Sequence, residues 1–183
     1  MAGDTSNPRI WLGADVYVAP VGTTAPVDVV TAWAAAWVAL GLLSEDGMTE
    51  SREDDTTDHN AWGGILVRTT RSKHKRTLMV TALEDNKTVW SLVNPGSTAT
   101  TATGLTTRTV KVPVPDPKAF GFELTDGTVK KRLIVPRGEI IEVGDLTYSD
   151  SEMFMKELTI NVYPSATGVL YTEITNDAQA VVP

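Results

Sequence analysis

The stretch 40–84 constrains the fold more than any other part of the chain. It starts from the apolar Leu40-Gly41-Leu42-Leu43, turns acidic, reaches Trp62, turns basic, and closes on Leu78-Met79-Val80-Thr81-Ala82-Leu83-Glu84. Residues 44–58 hold seven acids, Glu45, Asp46, Glu50, Glu53, Asp54, Asp55 and Asp58, against the single base Arg52. Residues 68–76 hold five bases, Arg68, Arg71, Lys73, Lys75 and Arg76, with His74 and no acid. Ionised side chains at this density stay in water or pair with one another, since burying them alone is costly. With strand-like apolar residues on both sides, 44–76 reads as a long polar hairpin-like excursion from a β core. An excursion of this kind is expected to be an assembly surface, and no part of it has the form of an active site.

The charge balance narrows the partners. The formal net charge is −7 and the pI is near 4.8, with the window 44–58 supplying nearly all of the excess. Such a surface repels phosphates, which argues against a sequence-independent duplex binder. The basic run carries threonines and a serine between its charges and no aromatic platform, so it makes a weak nucleic-acid patch. Charge complementarity with the acidic run, across strands or between neighbouring subunits, is the preferred reading. Asp54-Asp55-Thr56-Thr57-Asp58-His59-Asn60 invites a calcium site, but the flanking helices and the central glycine of an EF-hand loop are missing. A solvated acidic surface is expected instead, with no metal.

The absence of cysteine removes disulfides, thiolate chemistry and Cys-based metal sites together. With 42% hydrophobic residues in a chain of 183, a sizeable core is expected, in one domain spanning 1–183 with arms at 1–12 and 176–183. The start of the chain lacks a charged-then-apolar signal layout. The most apolar run, 29–43, is interrupted by Thr31 and Gly41 and is shorter than the roughly 20 residues of a membrane span. The expectation is a soluble, unexported protein with no membrane partner.

Alternation supplies the strands. They are expected at 15–20, 78–83, 109–114, 119–125, 128–135, 139–143, 152–163 and 169–174, with turns at 113–117, 126–127, 136–138 and 143–145. Asp126-Gly127 is the strongest hairpin signal among them. Leu158, Ile160 and Val162 mark the buried face of a half-buried strand, opposite Thr159 and Asn161. The segment 29–43 stays open: Trp33 and Trp37 suit a helix face by their i, i+4 spacing, while Trp37-Val38-Ala39-Leu40 suits an extended segment equally. Both tryptophans are expected in the core, the alternative being a stacking platform for sugars or bases. One helix is expected at about 84–93, capped by Asp85, with Val89, Leu92 and Val93 on one face and Asn94-Pro95-Gly96 as its stop. Residues 97–107 read as a Thr/Ala/Gly-rich loop. The fold class is mainly β (α+β): an antiparallel β-sandwich or small β-barrel with one packed α-helix.

No catalytic arrangement emerges. His59 and His74 both lie in the most polar part of the chain, and no nucleophile-elbow pattern accompanies them. No glycine-rich phosphate loop precedes a helix, and no two histidines share a helical face for zinc. No catalytic residue, cofactor or metal ligand is assigned.

The strings that carry a resemblance are Gly13-Ala14-Asp15-Val16-Tyr17-Val18-Ala19-Pro20-Val21-Gly22-Thr23 with Pro26 following, then Trp37-Val38-Ala39-Leu40-Gly41 leading to Ser44-Glu45-Asp46-Gly47. The helix start Leu83-Glu84-Asp85-Asn86 and the β-rich second half complete the set. In that order and spacing, over residues 10–95, the chain resembles the major tail tube proteins of long-tailed (siphovirus-type) bacteriophages, especially those of actinobacterial hosts. The resemblance implies a virion structural protein, made in the host cytoplasm, whose hexameric rings stack into a hollow tube. It implies as partners the chain itself, a tape measure protein inside the tube, a tail-tip initiator, a tail terminator, and phage DNA in transit without specific binding. It also implies that a long loop and the terminal arms contact the next ring. On this basis 44–76 is expected to be the ring-stacking hairpin, its Arg68, Arg71, Lys73, Lys75 and Arg76 meeting acids of the next ring. The acids Glu45, Asp46, Glu50, Glu53, Asp54, Asp55 and Asp58 would face the lumen or that ring. The rival readings are a tail terminator or head–tail connector ring, and a carbohydrate-binding module using Trp33, Trp37 and Trp62.

Overall fold

Most of the alternating runs do fold as strands, and every strand pairing is antiparallel. The computed structural model describes residues 7–177. In order these form β1 (Gly13–Pro20), β2 (Val38–Ala39), β3 (Leu43–Asn60), β4 (Leu66–Ala82), α1 (Lys87–Val93), β5 (Thr98–Ala102), β6 (Leu105–Thr109), β7 (Lys118–Asp126), β8 (Val129–Val143), β9 (Lys156–Val162) and β10 (Thr172–Thr175). The main sheet has the order β2-β1-β7-β8-β9-β4-β3, with β10 also on β8, and β5–β6 form a separate ribbon. Residues 1–6 and 178–183 of the two expected arms lie outside the described residues. Where the described parts of those arms meet, Arg9 pairs with Asp177 at 2.9 Å.

Strand β8 shapes the core. Its first half pairs with β7 on one side and β10 on the other, and its second half pairs with β9. The expected turn at Pro136-Arg137-Gly138 is therefore absent. The strand runs through it with a bulge, where Pro136 and Arg137 oppose the single Ala119 of β7. A bulge is where a strand tolerates a proline, because no ladder N–H is required of it. Gly138 then pairs with both Lys118 and Val162. A Cβ there would lie 3.0 Å from Ile160 Cγ2 and 3.2 Å from Phe120 Cδ2, between residues of the two layers. The sheet thus bends over itself as an open sandwich, not a closed barrel. Val16, Val18, Phe120, Phe122, Leu133 and Val135 meet Leu78, Val80, Leu158, Ile160 and Val162 in one core.

Leu40 and helix α1 contribute to that core through Val89 and Leu92. The helix is shorter than expected and its cap is Asn86, not Asp85. The Asn86 side chain accepts from the Val89 N–H at 2.9 Å and donates to the Leu40 carbonyl at 2.6 Å, so it caps the helix and ties down the preceding crossover. Asp85 is occupied elsewhere, by the buried Lys156 of β9 and by Arg108 of β6 at 2.6 Å. Burial raises the Asp85 pKa, yet hydrogen bonds from Lys156 and Arg108 outweigh it and hold the carboxyl below its ordinary value.

Two further expectations fail for identifiable reasons. Residues 97–107 form the β5–β6 ribbon, turned by Thr103 and Gly104 in left-handed conformation. Residues 110–114 are not a strand: Pro113, with Pro115 and Pro117 just beyond, cannot donate to a ladder, and no strand forms between β6 and β7.

The ambiguous segment 29–43 is neither a helix nor a long strand. It crosses the sheet and is held by side chains. Trp37 is buried, and its indole N–H donates to the Thr24 carbonyl at 3.0 Å. Trp33 stacks on Tyr17 at 4.7 Å and lies over Gly121, where a Cβ would approach its ring to 2.3 Å. Arg132, only 3% exposed, fastens this crossover: it pairs with Glu123 at 2.6 Å and donates to the carbonyls of Asp28 and Thr31 at 2.7 and 2.8 Å. Its guanidinium also sits 5.0 Å from the Trp33 ring centroid.

Breaking this pair leaves a carboxylate largely out of water. Arg132→Met should cost about 3 kcal/mol or more, read as a lowered urea midpoint at constant m-value. Burial pushes the Glu123 pKa up, but hydrogen bonds from Trp33 and Arg132 bring it below its ordinary value. A depressed folded-state pKa adds stability above the unfolded carboxyl value, about 4.3, and that stability is lost as pH falls through the lower folded value. Glu123→Gln should therefore be less stable than the parent at neutral pH, with the gap closing below about pH 4. Urea midpoints measured between neutral and acid pH would show it; a gap that does not change with pH would refute the assignment.

Candidate assembly surface

Strands β3 and β4 are the longest pair in the molecule, but β9 supports β4 only at residues 77–82. Beyond that point the two strands stand as a ribbon. At about 3.3 Å per residue its tip lies roughly 35 Å past the last support. A two-stranded ribbon without a core is marginal in water, and here it is held by charge. Glu50 pairs with Arg76 at 2.8 Å, Asp55 with Lys73 at 2.9 Å and Glu53 with Lys75 at 4.0 Å. Asp54 accepts from His74 and from Arg52, whose hydrogen bonds hold its carboxyl below the ordinary value.

A bulge makes the Asp54 cluster possible. Lys73 and His74 together oppose the one residue Asp54, and Lys73 adopts φ +50°. At the root, Arg76 also donates to the Tyr171 hydroxyl at 2.9 Å, and that hydroxyl donates to Glu50 at 3.1 Å, joining the ribbon to the approach of β10. Nearer the tip, Asp58 accepts from Thr69 and His59 bonds Thr70 across the strands. Arg68 and Arg71 make no ion pair among the described residues, and neither does Glu45. Asp46 bonds Ser44. The cross-strand alternative thus accounts for the acid–base order of most of these residues, and the cations left unpaired lie toward the tip.

The tip itself is apolar. Trp62, Ile65, Leu66 and Val67 are all exposed, Trp62 completely so. The turn is closed by Ala61 N–H to Ile65 O at 2.8 Å and Gly64 N–H to Ala61 O at 3.0 Å. Gly63 and Gly64 take φ of +92° and +81°, which other residues rarely adopt. From the sequence, Trp62 stands out only as the midpoint of the excursion and as one of three tryptophans of the rival carbohydrate-binding reading. The run Trp62-Gly63-Gly64-Ile65-Leu66-Val67 inside a charged stretch was the signal available, because exposed large apolar groups on a ribbon have no core to enter.

A family model described as phage tail tube protein matches residues 1–183. The chain belongs to the phage tail tube protein family. It is a structural component of the phage tail tube, a virion part, and the family is not an enzyme class. No curated protein matches it in sequence. Solved structures share the fold at low identity. A chain of the PVC sheath–tube complex, an extracellular contractile injection system in its extended state, aligns with TM-score 0.51 and 8% identity, covering 94% of this chain and 98% of that one. The tube-terminating cap of the anti-feeding prophage aligns with TM-score 0.53 and 10% identity over 96% of each chain. The PVC sheath/tube terminator aligns with TM-score 0.52 and 8% identity, covering 93% of this chain and 99% of that one.

Other parts of this tail tube subunit are also open to partners. The main sheet ends in the two-residue strand β2 at one edge and in β3 at the other. Trp33 and Trp37 are held by Tyr17, Glu123 and the Thr24 carbonyl, so they belong to the crossover and not to a sugar-stacking face. The β5–β6 ribbon is exposed throughout and is joined to the body by Arg108, which pairs with Asp85 and lies over the Trp90 ring.

Since no contact among the described residues ties the ribbon to the body beyond the Arg76–Tyr171–Glu50 cluster at its root, removal of the part past that cluster should spare the body. Replacing residues 53–75 by Asn-Gly is expected to change unfolding free energy by no more than about 1 kcal/mol, measured by calorimetry on the monomer. A collapse of the thermal transition would show that the ribbon belongs to the core unit after all.

Proposed function

We propose that this subunit forms hexameric rings that stack into a hollow, siphovirus-type tail tube, and that the ribbon 44–76 bridges one ring to the next. The observation that carries the reading is the ribbon itself: a two-stranded element that projects far from its own body and ends in apolar side chains. Such a tip costs solubility in a monomer and is relieved when a neighbour covers it. Membership in the tail tube family supports a repeating neighbour, and the similar folds in sheath–tube and terminator assemblies agree with it. The two open edges of the main sheet offer lateral pairing between subunits of one ring. We take residues 1–183 to act as one tail-tube domain, with the segments 1–12 and 176–183 as arms reaching toward the next ring.

The remaining partners are those that the resemblance to major tail tube proteins implies. A tape measure protein occupies the lumen during assembly, a tail-tip initiator starts it, and a terminator closes it. Phage DNA passes through without specific binding, which a protein of net charge −7 favours because it does not hold the polyanion. Assembly takes place in the host cytoplasm. The second reading, a terminator ring, is supported by the likeness to two terminator structures, and differs in forming one ring that does not stack.

Arg68 and Arg71, the unpaired cations of the ribbon, and the cross-strand Lys73 and Lys75 supply the electrostatic part of ring stacking. The acids Glu45, Asp46, Glu50, Glu53, Asp54, Asp55 and Asp58 then face the lumen or the adjoining ring. Negative-stain electron microscopy of the concentrated full-length chain should show tubes with a regular axial repeat and six-fold end views. Arg68→Glu with Arg71→Glu should shorten or abolish the tubes while leaving the monomer's thermal midpoint unchanged. Unaltered tubes from that variant would refute the electrostatic role, and closed rings that never stack would favour the terminator.

A further inference from the structure

We propose that Trp62 at the ribbon tip of one subunit seats in an apolar cleft between α1 and strands β1–β2 of a second copy in the adjacent ring. The proposal rests on the ring-stacking reading above and names the surface that receives the tip. The cleft has a volume of about 370 Å³, within the roughly 300–1,000 Å³ typical of pockets that enclose a small ring system. Val18, Pro20, Ala36, Val38 and Leu92 supply its apolar lining. Lys87 is also part of the lining and makes no ion pair among the described residues, so its ammonium is free to lie over an indole face.

Knob and cleft suit each other in chemistry and in placement. Trp62 is fully exposed, and it is presented on a closed turn rather than a slack loop, so little order is lost when it docks. The tip extends from β3–β4, at one edge of the main sheet, whereas the cleft lies beside β1–β2, at the other. A contact between two different patches of the same chain is heterologous, and such contacts propagate when the operation relating the copies does not close on itself. A stack of rings requires this property along its axis. Membrane insertion is the other use of an exposed Trp-Ile-Leu-Val tip, but it gives no role to a complementary cleft on the same chain.

The chain has no cysteine, which allows a clean crosslinking test. Ala61, beside Trp62, and Ala36, in the cleft, are both exposed. Tubes of the full-length double variant Ala61→Cys/Ala36→Cys, oxidised after assembly, should give a ladder of multimers on a non-reducing gel. Either single variant should give none. Trp62→Ala should raise the critical concentration for tube growth at least tenfold, with growth seeded by sheared wild-type tubes, and Trp62→Phe should fall between. Ala36→Asp should act in the same direction from the cleft side. All of these monomers should unfold at the parental temperature, because Ala36, Ala61 and Trp62 are all exposed.

Tubes that form normally from Trp62→Ala, or that yield no ladder from the double variant, would overturn the cleft assignment and leave ring stacking in place. A wild-type chain that never stacks, even when seeded, would overturn the stacking reading together with the cleft. Trp62-dependent binding of the monomer to vesicles of phosphatidylcholine and phosphatidylglycerol, without an effect on tubes, would assign the tip to a lipid surface instead.

Discussion

Strand β8 belongs to both layers, and the core exists because it does. A bent antiparallel sheet must bring two inner faces to within the span of facing side chains, and one strand has to make the change of direction. Here the change occurs at Pro136-Arg137-Gly138, where a proline is tolerated in a bulge and a glycine leaves room for Ile160 and Phe120. Leu133 and Val135 lie before the bend and Ile140 after it, so one continuous segment lines the core on both sides. The crossover 28–40 and helix α1 then cover what the sheet leaves open. Arg132 fastens the crossover, and Lys156 with Asn86 fastens the helix approach.

Much of this was legible where the local pattern and the tertiary use coincide. Leu158, Ile160 and Val162 alternate in sequence and are buried in the structure. Asp126-Gly127 marks the β7–β8 hairpin, with Asp126 paired to Val129. Pro136-Arg137-Gly138 misled because its residues carry turn chemistry, whereas the structure uses the same chemistry for a bulge. Asp85 misled because Asp and Asn are nearly equal as helix caps. What separates them is Lys156, a residue 71 positions away that draws Asp85 off. The ribbon β5–β6 was hidden for a different reason: it buries nothing, so no hydrophobic alternation announces it. The tryptophans at 33 and 37 have helical spacing, yet their positions are set by Gly121, Glu123 and Arg132 from other strands.

The charge order of 44–76 has a physical reason that composition alone does not reveal. Individual surface ion pairs contribute little to stability, but a row of them fixes which residue faces which. A polar two-sided ribbon is weakly specified in register, and here acids on one strand opposite bases on the other penalise any slipped pairing. The bulge at Lys73 and His74 sets a second constraint by matching two residues to Asp54. The result is a long element that keeps a defined shape without a core, which is what an arm needs if its tip is to arrive at a fixed place on another molecule.

Because the ribbon tip and the cleft are two unlike patches of one chain, the subunit has a direction. Any head-to-tail column built from it has two chemically unlike ends, one bristling with tryptophan-tipped arms and one showing bare clefts. Protein that begins the column and protein that finishes it therefore face different surfaces and need not compete. Polarity of the finished structure is written into a single monomer before the first contact is made.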